Sequence, residues 1–295
     1  MSAVRLWLMA ARPRTLPAAI APVLVGTAAA VDASDDIRVG AFVAALIGSV
    51  FIQVGTNLSN DYSDARRGAD SADRLGPVRV TSSGLVAPRR VLVATWVAFA
   101  VAVAAGVYLT VVAGIVILIV GVASILAGVL YTGGPRPYGY EGLGELFVFL
   151  FFGLVAVNGS YYVQLGRLDW LPFGLSLAVG FLVTAILVVN NVRDIETDQR
   201  AGKRTLAVRI GRRRTRQLYA GLLAAAFLAV PITLAATGES AWGLLALGAA
   251  PLARRPLEAV MTRADGPSLN AALAGTGALL AAFSVLLAGG LVIAA

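Results

Sequence analysis

Residues 270–295 contain no charged side chain. That run is longer than the roughly 20 residues with which a helix crosses about 30 Å of hydrocarbon, and several other stretches come close to it. Backbone placed in lipid must satisfy its own hydrogen bonds, so only helices or a closed barrel are open to such a chain. A barrel would alternate apolar and polar residues over short strands, and these runs do not alternate. Charged residues make up 14% of the chain and apolar ones 58%, against about 25% charged in soluble domains. The expected fold class is therefore all-α: a polytopic membrane protein embedded in a lipid bilayer.

Nine spans are expected, at residues 12–31, 38–59, 90–109, 111–131, 145–165, 171–192, 216–236, 240–260 and 270–293, forming one domain over 1–295. The eighth has the shortest charge-free run, ended by Arg254 and Arg255. Nine passes sort the loops onto two sides, and 22 of the 24 Lys+Arg then share one side, with only Arg38 and Arg167 opposite. The positive-inside rule makes that side cytoplasmic, together with the amino terminus. The +8 charge is thereby assigned to topology and lipid headgroups, and no nucleic acid partner is expected. No cleavable leader is expected either, because the first apolar run lacks a small-residue cleavage pattern. Two long polar loops, after spans two and six, lie on the cytoplasmic side, and function is expected there.

Cysteine and histidine are both absent, which excludes thiolate and histidine metal sites, cysteine nucleophiles and Ser-His catalysis. Chemistry must come from carboxylates, amides, hydroxyls, phenols and cations. The end of span two offers Asn57, Asn60, Asp61 and Asp64, then Asp70; the end of span six offers Asn190, Asn191, Asp194 and Asp198. Spacings of three and four place each set along one helix face. Carboxylates at a helix carboxyl end oppose the helix dipole, so local stability does not recommend the arrangement, and it occurs twice. Mg²⁺ resolves the conflict, since it takes carboxylate and amide oxygens, keeps waters and binds substrate phosphate. The two clusters facing one another would hold a Mg²⁺–diphosphate. Ion pairing in a solvated loop and a cation-transport site are the alternatives, although transporter sites tend toward the bilayer midplane. Lys203, the only lysine, follows the second cluster; with Arg79 and Arg67 it is a candidate diphosphate ligand.

On these residues the chain resembles the UbiA-type intramembrane aromatic prenyltransferases. N-D-x-x-D at 60–64 and D-x-x-x-D at 194–198 are similar to the paired aspartate motifs of that family. The stretches around 11–17, 55–62, 131–145 and 190–207 resemble its naphthoate-prenylating branch, and the similarity runs from about residue 12 to 211. Many relatives carry a third acid where this chain has Gly68.

The resemblance implies transfer of a polyprenyl group from its diphosphate to the aromatic acceptor 1,4-dihydroxy-2-naphthoate, with loss of CO₂, in a prokaryotic cell membrane. Asp61, Asp64, Asp194 and Asp198 would hold Mg²⁺, assisted by Asn57, Asn60 and Asp70. Lys203, Arg79, Arg67, Arg14, Asn57, Asn60, Asn190 and Asn191 would engage the diphosphate, with Arg14 also able to reach an acceptor carboxylate. Tyr131, Tyr138 and Tyr140 would shield an allylic cation, or else belong to an interfacial belt. Glu141 and Glu145 would take a proton or orient the ring. Gln53, Ser124, Asn158 and Gln164 are expected to hydrogen-bond between helices. Another ring acceptor, such as 4-hydroxybenzoate or homogentisate, is the nearest alternative, and a Mg²⁺ or organic-anion transporter is the distant one.

Overall fold

A computed structural model describes residues 2–34, 36–69 and 75–295. Among them every regular element is helical. We label α1 (Ala3–Ala11), α2 (Pro17–Asp32), α3 (Val39–Arg66), α4 (Pro88–Ala113), α5 (Ile115–Leu130), α6 (Gly144–Leu165), α7 (Trp170–Arg200) and α8 (Leu206–Thr237). Then come α9, a 3₁₀ stretch Ala241–Ala249 continued by an α-helix Ala250–Thr262, and α10 (Gly266–Ala294). Six of these helices are long and apolar enough to cross a membrane, or seven if the bent pair at the amino terminus is one span. The molecule is thus a multi-pass membrane protein. The two expected spans that fall short are α5, which is 16 residues long, and α9, which carries Arg254 and Arg255 within its α-helical half.

The breaks follow from sequence. Ser2 caps α1 through a hydrogen bond from the Arg5 amide, and Pro13 opens a 3₁₀ turn before α2, so the two helices meet at 52°. Gly114, at φ 89°, separates α4 from α5 in a conformation that a β-carbon would disfavour. Asp169, Thr205 and Asp265 cap α7, α8 and α10 by accepting from the amides of Trp170, Val208 and Ser268. α6 contains a π-helical segment, Phe149–Val155.

α7 is the most deeply buried of the candidate spans. It packs on α6, α8 and α10, while α2 packs on α6 and α10 and α3 on α4. Small residues set the closest approaches. A β-carbon on Gly153 of α6 would lie 2.6 Å from the Gly180 Cα of α7, so the two backbones touch there without side chains between them. Of the expected inter-helix polar contacts, two form: Gln53 donates to Thr15 and Gln164 accepts from the Arg38 amide. Ser124 and Asn158 instead donate to the carbonyls of Val120 and Leu154 one turn back on their own helices, the usual alternative for short polar side chains within a helix.

Candidate active site

α3 and α7 end alike. Each closes in a left-handed glycine, Gly68 at φ 65° and Gly202 at φ 73°. The following amide returns to a carbonyl five residues back, Ala69 to Asp64 and Lys203 to Asp198, both near 3.0 Å. This is the glycine-closed helix end that ties up orphan carbonyls. Gly68 and Gly202 therefore have a conformational role, and the repeated spacing D-x-x-x-G places Asp64 and Asp198 in matching last turns. The turn at Gly202 also swings Lys203 back toward the bundle.

A cavity of about 430 Å³ lies between these ends. Its polar end includes Asp64, Arg79, Tyr140, Asp194, Asp198 and Lys203, with Asn57, Asn60, Asn190 and Asn191 beside them. Asp64 is 1% exposed and is the hub: Oδ2 lies 3.0 Å from Arg79 Nη2 and 3.4 Å from Lys203 Nζ, and Oδ1 accepts from the Tyr140 hydroxyl at 2.6 Å. Asp194 is gripped by its neighbour, Arg193, whose Nε and Nη2 lie 2.7 and 2.6 Å from the two carboxylate oxygens.

The four asparagines divide into two kinds. Asn57 and Asn191 are tethered through their amide nitrogens, to Ala11 and Thr15 and to Glu145 respectively, and these bonds do not use their oxygens. Asn60 and Asn190 use their oxygens to accept from Thr132 and Arg193.

Several expected site residues stand elsewhere. Asp61 does not line the cavity. Its two oxygens accept from the amides of Val80 and Thr81, at 3.1 and 2.9 Å, so it fastens the loop that presents Arg79. Glu141 is a surface residue paired with Arg209 at 3.2 Å, because the 3₁₀ turn Tyr138–Glu141 points it outward. Glu145 is buried next to the cavity, with Oε1 held by Asn191 and Oε2 without a hydrogen-bond partner among the described residues. Arg67 is exposed, donates to the Gly134 carbonyl and stacks 5.8 Å from the Tyr140 ring centre. Arg14 is exposed, while Arg12 lines the cavity. Arg12 is the one described non-glycine residue with a left-handed backbone, φ 55°, a conformation that turns its side chain inward at the α1–α2 corner. Asp70 lies outside the described residues.

The rest of the chamber is apolar and aromatic. Tyr131 meets Tyr138 edge-on at 5.5 Å, Tyr138 stacks on Phe147 at 4.0 Å, and Phe147 stacks on Phe151 at 6.1 Å. Tyr138 donates to the Ala127 carbonyl, and burial pushes its phenol well above the usual range, so it remains neutral. Along α6 the lining residues recur every four positions from Phe147 to Val163. In a regular α-helix each step of four drifts by about 40°, and four steps would turn Val163 nearly to the opposite face. The wider winding of the π-helical segment offsets that drift and keeps a continuous wall. Such segments are frequent at functional sites.

Among the described residues no three acids form a ready cage for a metal. Mg²⁺ seldom uses one: it takes one or two carboxylates, keeps waters and completes its shell with substrate phosphate. The oxygen-only donors of Asp64, Asp194, Asp198, Asn57 and Asn191 fit that habit. The buried cations Arg79 and Lys203 at the same end suit a diphosphate.

Curated relatives match this chain over nearly its whole length. A protein of Mycobacterium tuberculosis named 1,4-dihydroxy-2-naphthoate octaprenyltransferase is 44% identical over 99% of this chain and 98% of its own. The Escherichia coli protein of the same name is 38% identical over 95% and 93%. Among solved structures, a UbiA homolog from Archaeoglobus fulgidus bound to GPP and Mg²⁺ superimposes with a TM-score of 0.69, at 15% identity, over 98% of this chain and 99% of that one. That likeness is one of fold. Residues 19–272 match the UbiA prenyltransferase family, and with relatives this similar over nearly the whole chain, this protein belongs to that family.

Proposed function

We infer that the protein transfers a polyprenyl group from polyprenyl diphosphate to 1,4-dihydroxy-2-naphthoate, with release of diphosphate and CO₂, giving demethylmenaquinone. The observation that carries prenyl transfer is the cavity itself: Asp64, Asp198, Arg79 and Lys203 share one chamber with the rings of Tyr131, Tyr138, Phe147 and Phe151 and with aliphatic side chains such as Leu109, Ile117 and Val163. The choice of acceptor is supported by the names of relatives at 38–44% identity.

Asp64 and Asp198 would hold Mg²⁺, with Asp194, Asn57 and Asn191 completing the site, and the metal would supply charge to the departing diphosphate. Arg79 and Lys203 place fixed positive charge where the anion develops. Tyr131, Tyr138 and the phenylalanines of α6 present π faces to an allylic cation, and their apolar wall keeps water away from it. Arg12 lines the cavity and follows Ala11, whose carbonyl accepts from Asn57, and Asn57 stands about two turns of α3 before Asp64, roughly 10 Å along the helix axis. That separation suits an acceptor carboxylate held apart from the diphosphate. Asp61 acts through the loop that it fastens, and Arg67 serves the rim.

We read α2 to α10 as nine passes of a single domain, 1–295, in a prokaryotic cell membrane with the acidic helix ends cytoplasmic. The support is the placement of 22 of 24 basic residues on that side. Each buried CH₂ contributes about 0.8 kcal/mol, so a long polyprenyl chain stays in hydrocarbon while its diphosphate reaches the rim.

Purified protein with Mg²⁺, a polyprenyl diphosphate and 1,4-dihydroxy-2-naphthoate should give the decarboxylated prenyl naphthoquinone by mass spectrometry. Product only with 4-hydroxybenzoate or homogentisate would keep the reaction and move the acceptor. No product with any ring, but ion flux in proteoliposomes, would replace the enzyme by a transporter.

A further inference from the structure

Asn270 belongs to α10, a helix without any of the motifs, and it is not among the residues that line the cavity. Its side chain is divided between two distant parts of the chain. Oδ1 accepts from Arg193 Nη1 at 2.6 Å, and Nδ2 donates to the Leu75 carbonyl at 2.9 Å. Arg193 is 1% exposed, and the rest of its guanidinium is committed to Asp194 and to Asn190, the latter at 2.8 Å. Leu75 lies four residues before Arg79, on the segment whose later amides are fastened by Asp61. That segment rests on the start of α10, where a β-carbon on Gly266 would come within 3.2 Å of the Leu75 side chain.

We propose that Asn270 is a positioning residue for the diphosphate end of the cavity, joining the second acidic cluster to the loop that presents Arg79. A guanidinium is a rigid planar fork. With Nε and Nη2 on Asp194, its remaining orientation is fixed by the partner of Nη1, and that partner is Asn270. Loss of Asn270 leaves a buried N–H of Arg193 unpaired, which favours re-aiming of the fork, and Asp194 moves with it. The same loss frees the Leu75 carbonyl and slackens the loop on its amino-terminal side. Asn270 therefore acts on Asp194 and Arg79 together while touching neither substrate. This inference rests on the reading of the polar end as a site for prenyl diphosphate with Mg²⁺.

The test uses the full chain in detergent. Binding of geranylgeranyl diphosphate is measured by calorimetry with Mg²⁺, steady-state kinetics are measured with the naphthoate acceptor, and thermal unfolding is followed alongside. Partners one shell out from a metal ligand contribute about 10–100-fold to metal affinity or activity. Asn270→Ala is expected to raise KM for the prenyl diphosphate and the half-saturating Mg²⁺ concentration by about tenfold or more, with KM for the acceptor unchanged and the unfolding temperature lowered by only a few degrees. Asn270→Asp keeps the acceptor for Arg193 and loses the donor to Leu75, so a smaller rise in the same two quantities is expected. Wild-type values in both variants, or equal loss toward both substrates, would overturn the proposal. If Asn270→Ala does not fold, wild-type values in Asn270→Asp alone overturn it. Failure of the unsubstituted protein to bind the diphosphate with Mg²⁺ would instead overturn the site reading beneath it.

Discussion

The ammonium of Lys203 lies 3.4 Å from Oδ2 of Asp64, a residue 139 positions earlier, and 4.6 Å from the Tyr140 ring centre. One cation thus joins the loop after α7 to the end of α3 and to the α5–α6 connection. A second link runs beside it, since the Arg204 amide donates to the Tyr140 carbonyl at 2.8 Å. Removal of one preorganised charge-stabilising donor typically lowers kcat by about 10²–10³. Lys203→Ala should fall in that range, with Lys203→Arg retaining part of the rate. Single-turnover kinetics at saturating diphosphate would separate this chemical loss from weaker binding.

The aspartates of the two clusters should not all respond alike. Asp64 and Asp198 face the cavity, whereas Asp61 holds backbone amides. Asp64→Asn and Asp198→Asn are each expected to raise half-saturating Mg²⁺ by roughly tenfold or more, because ligand charge count sets affinity at such sites. Asp61→Ala leaves two buried amides unpaired, at about 1–3 kcal/mol each. It should lower the unfolding temperature and weaken diphosphate binding together. Mg²⁺ titrations paired with thermal unfolding distinguish the two patterns.

Chelation should stop the enzyme without unfolding it. Asp64 is already compensated by Arg79 and Lys203, and Asp194 by Arg193, so the clusters do not depend on a metal to coexist. Excess EDTA is expected to abolish turnover, with activity restored by Mg²⁺ and the unfolding temperature shifted by no more than about 2 °C. A large drop in that temperature would point to metal-coupled folding of the kind seen in small zinc domains.

Gly153→Leu should disrupt the contact between α6 and α7. Even a β-carbon there meets Gly180 Cα at 2.6 Å and the Ser176 carbonyl at 3.1 Å, and both neighbours are backbone, which cannot rotate away. Overpacking of a core commonly costs about 1–3 kcal/mol. Gly153→Ala should therefore lower stability by an amount in that range, and Gly153→Leu should abolish the folded species in size-exclusion profiles. The Asn191–Glu145 bond between the same two helices, 2.8 Å long, would be lost with it.

The two acidic clusters could be read from sequence because spacings of three and four residues map directly onto one helix face. Lys203 and Arg79 could be read because they stand close to those clusters along the chain. Arg12 could not be told from Arg14 without the backbone: a left-handed residue at 12 sends one arginine inward and leaves the other exposed. Glu141 has the composition of a catalytic acid and the position of a surface one, and only the 3₁₀ turn separates these. Nothing in a run of phenylalanines announces a π-helical segment, and nothing local marks Asn270, whose partner on α7 is 77 positions away. The repeated D-x-x-x-G at 64–68 and 198–202 takes its meaning from the backbone, where both glycines close a helix in the left-handed region.

The contact between Arg193 and Asn270 also bears on how such a chain comes into being. Helices enter the bilayer from the amino terminus onward, and Asp61 can fasten the amides of Val80 and Thr81 soon after α3, but Lys203 reaches Asp64 only after α7, and the Leu75 end of that loop meets its partner only on α10. The second cluster waits for α10 as well. Arg193 obtains its last hydrogen bond from the final helix, so a chain released before α10 is made carries every recognisable motif and an unfinished catalytic centre. A partly synthesised chain of this kind would hold Arg193 against Asp194 without the bond that Asn270 supplies to the rest of the fork.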